Sequence, residues 1–298
     1  MRIPRPYMLP RYLSWLVEDG FFGDITTETL IEPGTIVEAH VISEDEAVAA
    51  CMDEAAEIAA YSGVDPEPQV KDGEPVEPGK TVMILRGEAS RVLFVERVLL
   101  NMLIYCYSVA TTTKLMIRRA SSEKPGIRVA ATRKTPPGLL YLAKKAVAAG
   151  GGDTHRLSLS HMILIKDNHL KIIGDVGRAI SIAREKASFA TKIEVEVESP
   201  QQALQAARAG ADIIMLDNMS PEQVRESVML LETEGLRKHV ILEASGGISL
   251  DNVAEYAATG VDVISSSMLT MNPLRRRLKL EVVKIIEENN EKNYLLRR

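Results

Sequence analysis

The chain has 298 residues, 46% of them hydrophobic and 26% charged, with a net charge of −5 at pH 7. At roughly 150 residues per domain the length predicts two domains, each able to bury a core, and the composition excludes a disordered chain, a disulfide-stapled miniprotein and a fibre. An acidic balance offers no basic face for phosphate-backbone contacts, so no nucleic-acid partner is expected and any anion site must be a local cluster of cations. No stretch is read as a membrane span, and Met1 to Asp19 carries charges where a signal peptide would be apolar. The only cysteines, Cys51 and Cys106, lack CxxC spacing, and together these features predict a cytoplasmic chain.

In chain order, an amphipathic segment from Pro10 to Glu18 precedes Gly23-Asp24-Ile25-Thr26-Thr27. Alternating stretches at Thr35 to Ser43 and Thr81 to Arg86 read as strands, separated by a helix over Asp53 to Tyr61 and by turns at Lys71-Asp72-Gly73 and Glu77-Pro78-Gly79-Lys80. This is a small α+β domain. Val92, Val95, Leu99 and Leu103 repeat at helical intervals and predict a long helix over Glu88 to Ser121 leading into the second domain. The division is placed at residues 1–120 and 121–298.

Beyond Ile127, short β-branched runs alternate with helical segments. The runs are Ile127 to Thr132, Met162 to Ile165, Lys192 to Val197, Asp212 to Leu216, Val240 to Glu243 and Asp262 to Ile264. Helical patterns at Pro200 to Ala209, Ser220 to Glu234 and Leu250 to Ala258 lie between them, which implies βαβ units on a parallel sheet, a closed barrel being favoured over an open one. Thr154 to Ser160 is a candidate seventh strand, since Leu157 and Leu159 alternate with polar residues. Leu278 to Arg298 reads as a terminal helix, with packing back on the first domain as one alternative, and Arg275-Arg276-Arg277 as a solvated helix face.

In α/β barrels the chemistry sits at the C-terminal ends of the strands, and here each strand delivers polar groups to that rim. The first runs into Thr132-Arg133-Lys134-Thr135, the next into Lys166-Asp167-Asn168-His169, and later ones into Asp217-Asn218, Ser245-Gly246-Gly247 and Ser265-Ser266-Ser267. Glu194 and Glu196 share one face of a strand covered on both sides, so a cation must meet Glu196. Arg133, Lys134 and Lys166 share the rim. His155 and Arg156 join them if Thr154 to Ser160 is a strand, and fall on the wrong face if it is a loop. Clustered cations predict a polyanionic substrate. Two small-residue loops after the last two strands, Ser245-Gly246-Gly247 and Ser265 to Ser267, suit a sugar phosphate. His155, His161 and His169 lack zinc-ligand spacing and read as hydrogen-bonding histidines. Gly150-Gly151-Gly152 reads as a helix C-cap and turn.

Ala131-Thr132-Arg133-Lys134-Thr135 with Pro137-Gly138, Gly150-Gly151-Gly152 with His155-Arg156, Ile165-Lys166-Asp167-Asn168-His169, Glu194-Val195-Glu196-Val197, Met215-Leu216-Asp217-Asn218 and Ser245-Gly246-Gly247-Ile248 together resemble the signature of the quinolinate phosphoribosyltransferase family. The resemblance implies an N-terminal α+β sandwich domain, an incomplete seven-stranded α/β barrel, and a homodimer in which one subunit's N-terminal domain covers its partner's barrel mouth. It further implies the Mg²⁺-dependent reaction of quinolinate with 5-phosphoribosyl-1-diphosphate to nicotinate mononucleotide, pyrophosphate and CO₂. Carried onto matching positions, Arg97 contributed across the interface, Arg133, His155, Arg156 and Lys166 would hold the two carboxylates. Lys134 and Lys166 would face the diphosphate, Glu196 and Asp217 would take ribose hydroxyls or metal, and Ser245, Gly246 and Gly247 the 5′-phosphate. Departures occur at Leu139 or Leu140, where the family often has arginine, at Ser267, where glycine is common, and at Met271, where histidine is frequent. The alternatives are a related phosphoribosyltransferase with another acceptor, or a non-catalytic phosphosugar-binding barrel.

Overall fold

The structure, a computed structural model, describes residues 8–20 and 23–286. In chain order its elements are α1 (Leu9–Gly20), α2 (Ile25–Leu30), β1 (Ile36–Ser43), β2 (Ala47–Val48), α3 (Met52–Tyr61), β3 (Asp65–Pro68), β4 (Pro75–Val76), β5 (Thr81–Glu88) and α4 (Ala89–Glu123). There follow β6 (Arg128–Ala131), α5 (Leu140–Ala149), β7 (Ile163–Ile165), α6 (Asp167–Ile173), α7 (Val176–Lys186), β8 (Ile193–Val197) and α8 (Pro200–Arg208). The last are β9 (Ile213–Asp217), α9 (Pro221–Thr233), a single 3₁₀ turn (Arg237–His239), β10 (Ile241–Ser245), α10 (Val253–Ala257), β11 (Val263–Ser266), α11 (Met268–Met271) and β12 (Leu278–Ile286).

The chain divides into two compact units. One is Val109–Leu274; the other joins the residues up to Ser108 with those from Arg275 onward. The dividing point therefore lies between Ser108 and Val109, in the middle of α4 and earlier than residue 120, because a continuous helix has no local composition break to mark where its contacts change.

The first unit's sheet has strand order β12-β1-β5-β3, antiparallel throughout. Alternation buries every second residue of β1, including Val37, Ala39 and Val41. The expected helix at Leu278 to Arg298 is a strand as far as Ile286, and the residues after it lie outside those described. Val282, Val283, Ile285 and Ile286 are β-branched, and pairing them against β1 closes an edge whose backbone groups would otherwise lack partners. Arg275 to Arg277 is no helix face either: Arg277 ion-pairs with Asp45 at 2.9 Å, and the backbone N–H of Arg276 donates to Ser108 Oγ at 2.8 Å.

In α4, Val92, Val95, Leu99, Leu103, Cys106 and Ala110 are fully buried at three- and four-residue spacing, as the periodicity predicts. By length and composition this helix could cross a membrane, contrary to the reading that no stretch could, but 61% of its apolar window is buried inside the protein. Its apolar demand is met by the core.

The second unit is built on a six-stranded parallel sheet, order β6-β11-β10-β9-β8-β7. The expected seventh strand over Thr154 to Ser160 is a loop. His155 at φ +52° leaves extended geometry, and only an isolated parallel bridge from Ala130 to Asp153 precedes it. Ser199 and Ser220 cap α8 and α9, each with proline at the first helical position, so helix starts are set locally. At the opposite end, Asp212 and Asp262 repeat one device. Each precedes a strand and accepts a backbone N–H from the neighbouring strand, Ile193 and Leu242 respectively, both at 2.9 Å, while ion-pairing with Arg184 or Arg237. Register then aligns Asp217, Ser245 and Ser265 on three adjacent strands, and Glu196, Met215 and Glu243 one step below.

Candidate active site

At the C-terminal ends of these strands a cavity of about 310 Å³ is lined by Ala131, Thr132, Arg133, Lys134, His155, Arg156, Leu164, Lys166, Glu196, Met215, Asp217, Glu243, Ser245 and Ser265. A second cavity, about 510 Å³, is lined by Asn218, Gly246, Gly247, Ile248, Ser249, Asp251, Ser266, Ser267, Met268, Met271 and Asn272, and shares Thr132, Lys134 and Ser245 with the first. The cations predicted at the rim thus converge, and the glycine loop adjoins them. His155 and Arg156 belong to the cation cavity although their segment is a loop. The bridge at Asp153 docks that loop on β6, so a strand is not needed to aim them. Ser265 is also in the cation cavity, apart from Ser267 in the glycine-loop cavity. Arg97 lies on the N-terminal half of α4, exposed, 3.8 Å from Glu96, and lines neither cavity.

The cation that Glu196 requires is Lys166, whose Nζ donates to Glu196 Oε1. The backbone N–H of Lys166 in turn donates to His169 Nδ1 at 2.9 Å, so His169 caps α6. His161 likewise accepts from the backbone N–H of Leu157, at 3.3 Å.

Glu243 was not singled out in the sequence, though an acid inside the apolar run Val240 to Ala244 carries the same signal as Glu196. Its carboxylate and that of Glu194, both almost wholly buried, lie 3.2 Å from His155 Nε2. Burial alone would lower the pKa of His155, but hydrogen bonds to Glu194 and Glu243 outweigh it and push it up to about 10. The opposite ring nitrogen, Nδ1, accepts the backbone N–H of Arg156 at 2.7 Å, which requires a lone pair there. A proton on Nε2 meets both carboxylates. The Glu194 carboxyl is itself pushed up, chiefly by its own burial. Three potential metal ligands do meet at His155, Glu194 and Glu243. A ring whose Nε2 carries the proton offers a donor there rather than a lone pair.

Arg156 is 6% exposed, and among the described residues no carboxylate lies within ion-pair distance of it. Burial, and then Arg133, hold its pKa below the usual guanidinium value. Ser265 Oγ, also buried, has no hydrogen-bond partner among the described residues. A guanidinium with no ion-pair partner among the described residues and an unpaired hydroxyl in one cavity suit an anionic ligand that completes them.

The glycine loop is dictated by sterics. Gly246 has φ +96°, and a Cβ there would stand 2.2 Å from Asn218 Oδ1 and 2.7 Å from Asn218 N. Gly247 also has positive φ, +63°. Ser267, where glycine is expected, has φ −74°, a conformation that any residue adopts, so the departure carries no backbone penalty. Gly150 caps α5, and a Cβ on it would meet Ala110 O at 2.3 Å.

Residues 24–107 match the N-terminal domain of quinolinate phosphoribosyl transferase and residues 109–275 its C-terminal domain. The chain is 47% identical over 264 residues to a protein of Methanothermobacter thermautotrophicus named as a probable carboxylating nicotinate-nucleotide pyrophosphorylase, covering 89% of this chain and 95% of that protein. It is 40% identical over 199 residues to the carboxylating nicotinate-nucleotide pyrophosphorylase of Rattus norvegicus, covering 67% and 66%. The crystal structure of NadC from Streptococcus pyogenes superposes with a TM-score of 0.87 at 30% identity, covering 96% of this chain and all of that one. Fold, cavity chemistry and both domain matches agree: the chain belongs to the quinolinate phosphoribosyl transferase family.

Proposed function

We propose that the chain transfers a phosphoribosyl group from 5-phosphoribosyl-1-diphosphate to quinolinate with loss of CO₂, giving nicotinate mononucleotide and pyrophosphate, and that the two adjoining cavities divide the work. The observation that carries this reading is the convergence of Arg133, Lys134, Arg156 and Lys166 on one small cavity that shares a wall with the Gly246-Gly247 loop. Arg133 and Arg156 take the two carboxylates, with Lys166 beside them. Lys134, lining both cavities, faces the diphosphate. Backbone groups of Ser245 to Gly247, with Ser267, take the 5′-phosphate. His155 contributes through Arg156, whose backbone it holds.

Ring nitrogen attacks the anomeric carbon as the bond to pyrophosphate breaks, and positive character on the ribose is stabilised by Glu196 and Asp217. No protein nucleophile is required. Loss of CO₂ leaves an electron pair on the ring carbon next to the quaternised nitrogen, which stabilises it until that carbon takes a proton from water. The cavity's main contribution is orientation, which can be worth about 7 kcal/mol or more. Glu196 and Asp217 are hard oxygen donors on one wall of the cavity and fit Mg²⁺. The ion, when bound, would neutralise charge on the departing diphosphate. We further propose a homodimer in which Arg97 of the partner subunit completes the carboxylate site.

The decisive experiment supplies Mg²⁺, 5-phosphoribosyl-1-diphosphate and either quinolinate or nicotinate. CO₂ released in proportion to mononucleotide formed from quinolinate is expected. Turnover of nicotinate with quinolinate ignored would overturn the assignment.

A further inference from the structure

Lys144 is buried near this site, and the reaction does not explain its burial. It lies in the middle of α5, 1% exposed, and among the described residues no carboxylate is within ion-pair distance of it. Its Nζ donates instead to two backbone carbonyls, that of Thr154 and, at 3.4 Å, that of Ala131. Ala131 is the last residue of β6, two before Arg133. Thr154 begins the loop beyond Asp153, two residues before Arg156. One ammonium therefore grips both backbone segments at the same distance upstream of the two arginines that face the carboxylate cavity.

A methionine or leucine would fill this space without desolvating a charge, and a buried cation lacking an anionic partner is a net cost to folding. Burial pushes the Lys144 ammonium down to about 8, with Asp153 opposing and Arg133 and Arg156 adding to the shift. Asp153 is already engaged. It pairs with Arg128 at 2.8 Å and accepts the backbone N–H of His155 at 2.8 Å. The one ladder contact joining the two segments is the isolated bridge at Ala130 and Asp153, with backbone bonds of 2.9 Å from Ala131 N to Asp153 O and 2.8 Å from Asp153 N to Val129 O. The two carbonyls held by Lys144 lie one residue beyond each bridge partner and continue the connection past it.

We propose that Lys144 is a positioning residue for acceptor recognition: by tying the carbonyls of Ala131 and Thr154 together beneath the cavity, it sets the spacing between Arg133 and Arg156 that a vicinal aromatic dicarboxylate requires. The inference rests on the quinolinate reading of the cavity. It involves no contact between Lys144 and substrate.

The test measures KM for quinolinate and for 5-phosphoribosyl-1-diphosphate separately in the wild-type enzyme, Lys144→Met and Lys144→Gln. The dissociation constant of phthalate, a dicarboxylate without the ring nitrogen, is determined alongside. Lys144→Met should raise KM for quinolinate and Kd for phthalate at least tenfold while changing KM for the phosphoribosyl donor less than threefold. Lys144→Gln, which keeps a donor for the carbonyls, should recover part of the loss. Unchanged quinolinate KM in Lys144→Met, or equal rises for both substrates, would overturn the proposal, the second outcome indicating general loosening. Native wild-type protein treated with an amine-acylating reagent provides a readout independent of variant folding: Lys134 and Lys166 should react while Lys144 does not, and acylation of Lys144 alongside them would refute its buried tie. A wild-type enzyme inert towards quinolinate would instead refute the functional assignment, whatever the variants do.

Discussion

Replacing Arg156 with methionine should separate substrate recognition from folding. The guanidinium is 6% exposed, has no carboxylate within ion-pair distance among the described residues, and is held below its usual pKa by burial and then by Arg133. In the free enzyme it is a desolvated charge with incomplete compensation. With quinolinate bound it gains a carboxylate. A hydrogen bond to a charged partner contributes about 1.5–3 kcal/mol, and at about 1.4 kcal/mol per tenfold the variant should raise KM for quinolinate about 10- to 150-fold. Methionine fills much of the arginine stem's volume without the charge, so the unliganded protein should be as stable as wild type or more so by about 1–2 kcal/mol, raising Tm by about 2–8 °C. Initial-rate kinetics with each substrate varied in turn, and thermal unfolding without ligand, measure both quantities. A lowered Tm combined with an unchanged quinolinate KM would show that Arg156 is a structural cation and would refute the reasoning.

Arg133→Ala should weaken quinolinate binding without unfolding the protein, since Arg133 is exposed; unchanged affinity in a direct binding titration would remove it from the site. Gly246→Ala should raise KM for 5-phosphoribosyl-1-diphosphate and lower Tm, because the added Cβ meets backbone and side chain of Asn218 at a positive φ; normal values for both would show that the loop relaxes freely. Lys144 has a folded pKa of about 8, below its unfolded value of 10.5, so between those values the unfolded state holds the extra proton and stability rises with pH. The rise should amount to about 3 kcal/mol at 1.36 kcal/mol per unit, should be complete near the unfolded pKa, and should be missing from Lys144→Met in chemical denaturation at pH 7 to 10.5. Asp262 has a depressed pKa, burial being outweighed by Arg237 and the backbone N–H of Leu242, so its contribution is present above the unfolded carboxyl value and lost as pH falls through the lower folded one. Asp262→Asn should therefore flatten the acid limb of the stability profile; an unaltered limb would exclude this carboxylate as a source of acid sensitivity.

Features set by local spacing were legible from the residues alone. The period of Val92, Val95, Leu99 and Leu103 marks α4, capping serines followed by proline mark α8 and α9, and alternating β-branched runs mark the parallel strands. The rim cations and the glycine loop followed from a topological rule, since a βαβ chain brings every strand's C-terminal end to one side. The charge of Glu196 demanded a partner, and Lys166 provides it. Tertiary structure alone decided the rest. Leu278 to Ile286 satisfies a helical pattern about as well as an alternating one, and its strand form depends on the open edge of β1, more than two hundred residues away. His155 and Arg156 reach the cavity from a loop because Asp153 bridges β6 and Lys144 binds two backbone carbonyls, interactions between residues with no shared local period. Glu243 met Glu194 and His155 through strand register across the sheet. Periodicity and capping act over a turn or two of chain, whereas the balance of buried charges depends on which distant segments share the same water-poor space.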